Sequence, residues 1–356
     1  MKILYGVQGT GNGHISRARI MARAFAKRDD VQVDYLFSGR EPERYFDMEL
    51  FRQFRTLHGL SFVTERGEIS HFKSIKCAKL LQLYKDIRQL DLSGYDLILN
   101  DFEPITAWAA RYQNKPSISI SHQAAFSENI PQTGNGLIER TILKYYAPTE
   151  FKLGVHWYHF GFNILPPFIE QSPKNTSNQN YYLVYLPFEA EDEIKMMLEP
   201  LSEHNFICFH PSVSKANVSE NISWFPLGQS AFHKYLNGCT GVITNCGFEL
   251  TSECLQLGKS LLVKPLGGQF EQLSNAMTLD KLGLCQTMLE LSTEAIESWL
   301  ESASKTYVEF PQDPHELIEW ILERKWHQTT ELCKSLWEKV IFPPEVKRRL
   351  TSMALD

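Results

Sequence analysis

No apolar run in these 356 residues approaches the roughly 20 that a membrane-spanning helix needs. The sequence therefore predicts no transmembrane segment. Its seven cysteines, at positions 77, 208, 239, 246, 254, 285 and 333, show no paired metal-ligand spacing. An odd number of scattered thiols argues against a disulfide framework and for a reducing compartment. The chain opens directly on a strand-like run, Met1–Val7, so the expectation is a cytoplasmic protein without an export signal. No repeat of fixed period is present, and the polar tract 171–180 is the one low-complexity stretch. Nor is there a strong charge of one sign: residues 1–150 carry +3 and the rest −9, for −6 in all. That balance argues against a nucleic-acid partner.

What is there is alternation. The run Met1–Val7 is followed by Gly9-Thr10-Gly11-Asn12-Gly13-His14 and a helical pattern from Ile15 to about Arg28. Strand patterns follow at Val31–Phe37, Leu97–Asn100 and Ser117–Ile120, with a helix over about 73–90 between the first two. This order predicts an α/β fold with a parallel sheet covered by helices. Pro166-Pro167 and the polar tract mark a linker over 166–180. Tyr181–Leu186 then starts a second alternating series. The prediction is two doubly wound Rossmann-like domains, 1–165 and 181–325, facing a cleft at their strand C-termini. The tail reads as helical from Glu316 to Lys339, with a last helix from Glu345 to Leu355 after Pro343-Pro344.

The second domain carries the densest signal. Gly241–Thr244 reads as a strand, Asn245-Cys246-Gly247 as a turn, and the next residues as a helix bearing Glu249 and Glu253. A further strand, Ser260–Pro265, leads through glycines to Glu271-Gln272 and Asn275. A helix start beside a glycine turn favours an anion through its free N–H groups and dipole. Carboxylates and amides beyond it suit hydroxyls, as a sugar or ribose requires.

These residues, Asn-x-Gly-x-x-x-x-x-Glu, then Pro, then Glu-Gln-x-x-Asn-Ala, resemble the donor half of GT-B glycosyltransferases. The similarity is greatest to the N-acetylglucosaminyltransferase that forms lipid II and to plant-type UDP-glycosyltransferases, over about residues 224–284. The segment from Trp224 to Gln229 resembles the stretch whose backbone reads the base. The resemblance implies that Glu253 binds the ribose of UDP, Glu271 and Gln272 bind sugar hydroxyls, and Gly247 lies against the diphosphate. Asn245, Glu249 and Asn275 complete that donor set, and Gly11 and Gly13 border it from the first domain. It also implies that helices over 326–356 cross back to the N-terminal domain, and that no metal or cofactor is needed. Consistent with this, no carboxylate pair stands in a loop suited to a metal and a diphosphate. Asp29-Asp30 falls in a turn at the wrong edge of the sheet.

His14, at the entry to the first helix, is the candidate base that takes a proton from an acceptor hydroxyl. Asp101, after the third strand, is the candidate that orients it; the alternative for Asp101 is a helix N-cap. The pattern from Asp101 to Trp108 resembles that around the catalytic dyad of plant-type enzymes. Glu103-Pro104 departs from it, so Glu103 competes for the supporting role. Glu103 and His122 are also candidates for contact with acceptor or sugar, although a lone His after a strand is more often structural. The glycines at 9, 11 and 13 do not fit the dinucleotide register, but Ser38-Gly39-Arg40 leaves NADP open. The basic, apolar pattern over 73–90, with Lys73, Lys76, Lys79, Lys85 and Arg88, raises peripheral membrane contact; a core helix with a solvated basic face is its ordinary reading.

The expectation is thus an inverting, metal-independent transfer of a hexose or N-acetylhexosamine from a nucleotide-sugar donor. The acceptor stays open among glycans, lipid-linked sugars and small molecules. The alternatives are a UDP-sugar 2-epimerase, which would need further carboxylates at the sugar, and a non-catalytic nucleotide-sugar or glycan-binding module.

Overall fold

The structure is a computed structural model that describes residues 1–356 except 61–63, 66–67, 70–78, 135, 170–178, 303–304 and 354–356. In the first half the chain runs β1 (Lys2–Gln8), α1 (Asn12–Phe25), β2 (Gln32–Ser38), β3 (Phe54–Leu57) and a short hairpin, β4 (Thr64–Glu65) with β5 (Glu68–Ile69). It continues through α2 (Leu80–Gln89), β6 (Leu97–Asp101), α3 (Pro104–Tyr112), β7 (Ser117–Ser121), α4 (His122–Ala125), α5 (Leu137–Tyr145), β8 (Phe151–Val155) and β9 (Ile164–Leu165). The sheet order is β3-β2-β1-β6-β7-β8-β9, and all these pairings are parallel. Helices cover both faces, so the central strands are buried throughout; every residue of β6 and β7 is buried. Burial on both faces extends even to the serines of β7, whose Ser-Ile-Ser-Ile-Ser sequence alternates.

The second half repeats the plan. It comprises β10 (Tyr182–Tyr185), α6 (Glu191–Leu198), β11 (Phe206–Phe209), β12 (Asn217–Ser219), β13 (Ile222–Phe225), α7 (Gln229–Gly238), β14 (Gly241–Asn245), α8 (Phe248–Gln256), β15 (Ser260–Lys264), α9 (Phe270–Leu282), β16 (Gln286–Thr287) and α10 (Thr293–Ser302). The order is β12-β13-β11-β10-β14-β15-β16, parallel except for the edge strand β12. In each sheet the strand order reverses direction beside the first strand, between β1 and β6 and between β10 and β14. Such switch points leave a crevice at the strand C-termini, where ligands of open α/β sheets bind. The two-domain α/β expectation holds; most of the linker tract lies outside the described residues.

The tail differs from its sequence reading. The expected helix from Glu316 to Lys339 is two, α11 (His315–Leu322) and α12 (Thr330–Trp337), followed by α13 (Pro344–Met353). Arg324 adopts φ 58°, which ends α11. The intervening turn is pinned by Trp320 Nε1 on Gln328 O (3.0 Å) and Trp326 Nε1 on Ile321 O (2.9 Å). Helix α11 packs on α1, where Arg28 pairs with Glu319, and Trp337 Nε1 donates to Ile164 O at 2.7 Å. These two helices cross back to the N-terminal domain. Helix α13 lies on α9 of the C-terminal domain, with Arg349 against Asp280 O at 3.4 Å. Pro343-Pro344 cannot continue α12, so the chain is free to reverse there.

Candidate active site

The two switch points face one another across a cleft of about 340 Å³. Val7 and Asp101 are register partners on β1 and β6, so the loop after β1 and the end of β6 emerge side by side. Gly9-Thr10-Gly11 carries the chain from β1 into α1, which begins three residues earlier than its sequence pattern suggests. His14 therefore sits in the first helical turn. Its Nδ1 lies 2.8 Å from Asp101 Oδ1, and Asp101 is fully buried. Burial opposes the charge on Asp101, but Arg17 and then His14 outweigh it and hold the carboxyl below the usual range.

Phe102, directly after Asp101, adopts φ 53°, a rare conformation for a bulky residue. It stacks on Tyr146 at 4.7 Å and lines the cleft. The turn delivers Glu103, not Asp101, to the N-cap of α3. Glu103 Oε1 accepts from Ile105 N and Ser38 Oγ, and Oε2 from Thr106 N and Thr106 Oγ1. Burial pushes its carboxyl up, and it does not line the cleft. This corrects two expectations: the cap is Glu103, and it neither supports His14 nor reaches an acceptor.

Gly11, Gly228, Gly247 and Gln269 are the N-cap residues of α1, α7, α8 and α9, and all four line the cleft. None makes a side-chain cap hydrogen bond. Four helix starts thus turn their N–H groups and positive dipole ends toward one space. The domains approach closely here; a Cβ on Gly13 would stand 3.0 Å from Glu249 Cγ. Burial pushes the Glu249 carboxyl up to about 7, with Arg17 opposing.

The remaining candidates divide. Asn245, Gly247, Glu249, Glu253, Glu271 and Gln272 line the cleft with His14, Gly11 and Gly13. Glu271 Oε2 accepts from Gln123 Nε2 across the cleft at 2.8 Å. Gln272 Oε1 takes the backbone N–H groups of Leu266 and Cys246, so its carbonyl also fixes the loops around it. Asn275 is a correction: it is fully buried and does not line the cleft. Its Nδ2 donates to Cys246 O and its Oδ1 meets His122 Nε2 at 2.7 Å. His122 uses its other nitrogen on Val155 O, and its ring borders the cleft while joining the two domains. Arg40 is engaged with the glycine loop, through Asn12 Oδ1 at 3.0 Å, and does not line the cleft.

Several cleft residues escape a motif reading. Gln8 and Gln123 line it, and with Asn245 and Gln269 each holds a buried amide oxygen without a partner among the described residues. Arg17 is the other. The only sequence signal for it is its place three residues after His14, on the same helical face.

The family described as glycosyl transferase family 1 matches residues 1–303. No curated protein sequence matches the chain significantly. Among solved structures, Arabidopsis thaliana UGT89C1 complexed with quercetin superposes with a TM-score of 0.55 at 16% identity, over 94% of this chain and 99% of that one. Acinetobacter baumannii MurG gives a TM-score of 0.51 at 14% identity, over 85% and 90%. The Streptomyces sp. SF2575 glycosyltransferase SsfS6, complexed with thymidine diphosphate, gives 0.55 at 12% identity, over 85% and 91%. At such identities these likenesses speak for the shared GT-B fold alone. The family match spans both domains and the whole cleft between them, and by it this chain belongs to glycosyl transferase family 1.

Proposed function

We propose that the protein transfers a hexose or N-acetylhexosamine from a UDP-linked donor to an acceptor hydroxyl, with inversion at the anomeric carbon. The observation that carries this reading is the His14–Asp101 pair facing the uncapped start of α8 across one cleft. With Nδ1 bonded to Asp101, His14 keeps Nε2 to accept the acceptor's proton. As that oxygen bonds to the anomeric carbon, the bond to the diphosphate breaks. Negative charge then grows on the leaving phosphate, where the N–H groups of α8 stabilise it. Glu253 binds the ribose in this reading, and Glu271, Gln272 and Gln123, which line the same cleft, bind sugar hydroxyls. In this reading the helix starts supply the positive potential, so turnover needs no metal and is insensitive to chelator.

One structural neighbour is complexed with quercetin and another with thymidine diphosphate, which supports a nucleotide-linked donor and an acceptor as partners of this chain. The acceptor is a glycan, a lipid-linked sugar or a small molecule. Exposed Leu81 and Tyr84 beside Lys85 on α2 support peripheral contact with the cytoplasmic face of an anionic membrane. Residues 73–78 of that basic pattern lie outside the described residues. Among the described residues, no helix is long and apolar enough to cross a membrane.

The test is a thermal-shift screen of nucleotides and nucleotide sugars, followed by UDP release with an acceptor panel and NMR of the product anomer. A ligand at about 100 times its Kd adds roughly 2.7 kcal/mol of stability. UDP-sugar stabilisation with acceptor-dependent UDP release supports transfer. Interconversion of the UDP-sugar without acceptor would instead indicate an epimerase, and binding without turnover a non-catalytic module.

A further inference from the structure

Arg17 is 5% exposed and lies one turn beyond His14 on α1. Its Nε donates to Asp101 Oδ2 at 2.8 Å and its Nη2 to Asp101 Oδ1 at 3.0 Å, a two-point fork on one carboxylate. Asp101 Oδ1 is the same oxygen that meets His14 Nδ1, and Arg17 Nη2 stands 3.4 Å from that ring nitrogen. The third arm, Nη1, crosses the domain boundary to Glu249 Oε1 in the first turn of α8. A clamp that served cohesion alone could sit anywhere in the interface. This one grips both oxygens of the carboxylate that orients His14.

We propose that Arg17 is a positioning residue that tunes the proton affinity of the His14–Asp101 pair and ties it to the position of α8 through Glu249. The inference rests on the reading of His14 as the base. Asp101 favours a proton on His14, and a cation on both its oxygens weakens that effect. Once ionised, toward neutral pH and above given a carboxyl raised to about 7, Glu249 draws part of the guanidinium's charge away from Asp101. When the domains part, Glu249 withdraws, Arg17 is left to Asp101 alone, and His14 becomes a weaker base. Basicity is therefore greatest when the cleft is closed.

The other ionisable groups facing this cluster do not supply such a lever. Tyr5 of β1 is held neutral by burial. Burial likewise lowers His122 of α4. Arg19 spends its guanidinium on Phe46 O and Asp47 O, and Glu253 lines the cleft one turn beyond Glu249 on α8.

The experiment is an NMR titration of the His14 side chain, ¹⁵N-labelled, in the full chain and in Arg17→Gln, Arg17→Lys and Glu249→Gln. Arg17→Gln should raise the His14 midpoint, by about one pH unit for a neighbouring charge. Glu249→Gln should lower it, and Arg17→Lys should stay nearer the parent than Arg17→Gln. Should Arg17→Gln fail to fold, the other two variants carry the test. Midpoints that stay put, or that move against these directions, overturn the proposal. The lower limb of the pH profile of kcat/KM is then measured on the same variants. If midpoints move and the limb does not follow, the coupling stands and the reading of His14 as the base fails.

Discussion

His122 of the N-terminal domain and Phe248 of the C-terminal domain stack with ring centroids 4.0 Å apart and planes 13° from parallel. Trp157 closes on the same ring at 4.7 Å and donates Nε1 to Ser252 Oγ at 2.8 Å. The floor of the cleft is therefore a packed aromatic joint. Phe248 is 5% exposed. Phe248→Ala should destabilise the protein by about 3–5 kcal/mol, as for other buried aromatics. Urea unfolding checks this; a loss below about 1 kcal/mol would show that the joint is not cohesive.

A contrast between two neighbours separates binding from scaffolding. Glu253→Ala should weaken UDP binding, because Glu253 borders the cleft and the proposed function gives it the ribose. Asn275→Ala should leave UDP affinity nearly unchanged while destabilising the fold by about 1–3 kcal/mol, since it strands Cys246 O and His122 Nε2. Calorimetric titration with UDP and thermal unfolding of both variants decide it. The reverse pattern would reassign both residues.

Glu249 links stability to pH. Its carboxyl is raised from an ordinary 4.5 to about 7, so the folded state holds a proton that the unfolded state releases between those values. Stability carried by that proton is present at low pH and declines as pH rises from about 5 to 7. Relative to Glu249→Gln, the parent should lose on the order of 2 kcal/mol across that window. Denaturation midpoints of both proteins at pH 5, 6 and 7 test it; parallel curves would show that Glu249 ionises as freely in the fold as outside it.

Much of this site was legible because local chemistry and fold agree. The apolar run Gly241–Thr244, the turn Asn245–Gly247 and the helix carrying Glu253 lie within one βα unit, so sequence spacing translates directly into position. His14 and Asp101 were likewise readable as strand-end residues. Their contact needed β1 and β6 to be neighbours, which a doubly wound order supplies. Arg17 was opaque because its partners Asp101 and Glu249 are remote in sequence and on two domains. Asn275 and Glu103 misled for the opposite reason: polar residues at motif positions can serve buried backbone groups instead of a ligand. The α11–α12 break was hidden because helical periodicity says nothing of two indole N–H groups pinning a turn.

The central claim is that His14, held by Asp101, takes the acceptor proton. The most direct measurement is kcat together with UDP-sugar affinity for His14→Ala under acceptor saturation. Turnover should fall by roughly 10²- to 10⁴-fold, the usual contribution of a general base, with donor affinity nearly intact. Turnover equal to the parent would contradict the account and leave the His14–Asp101 pair a structural contact.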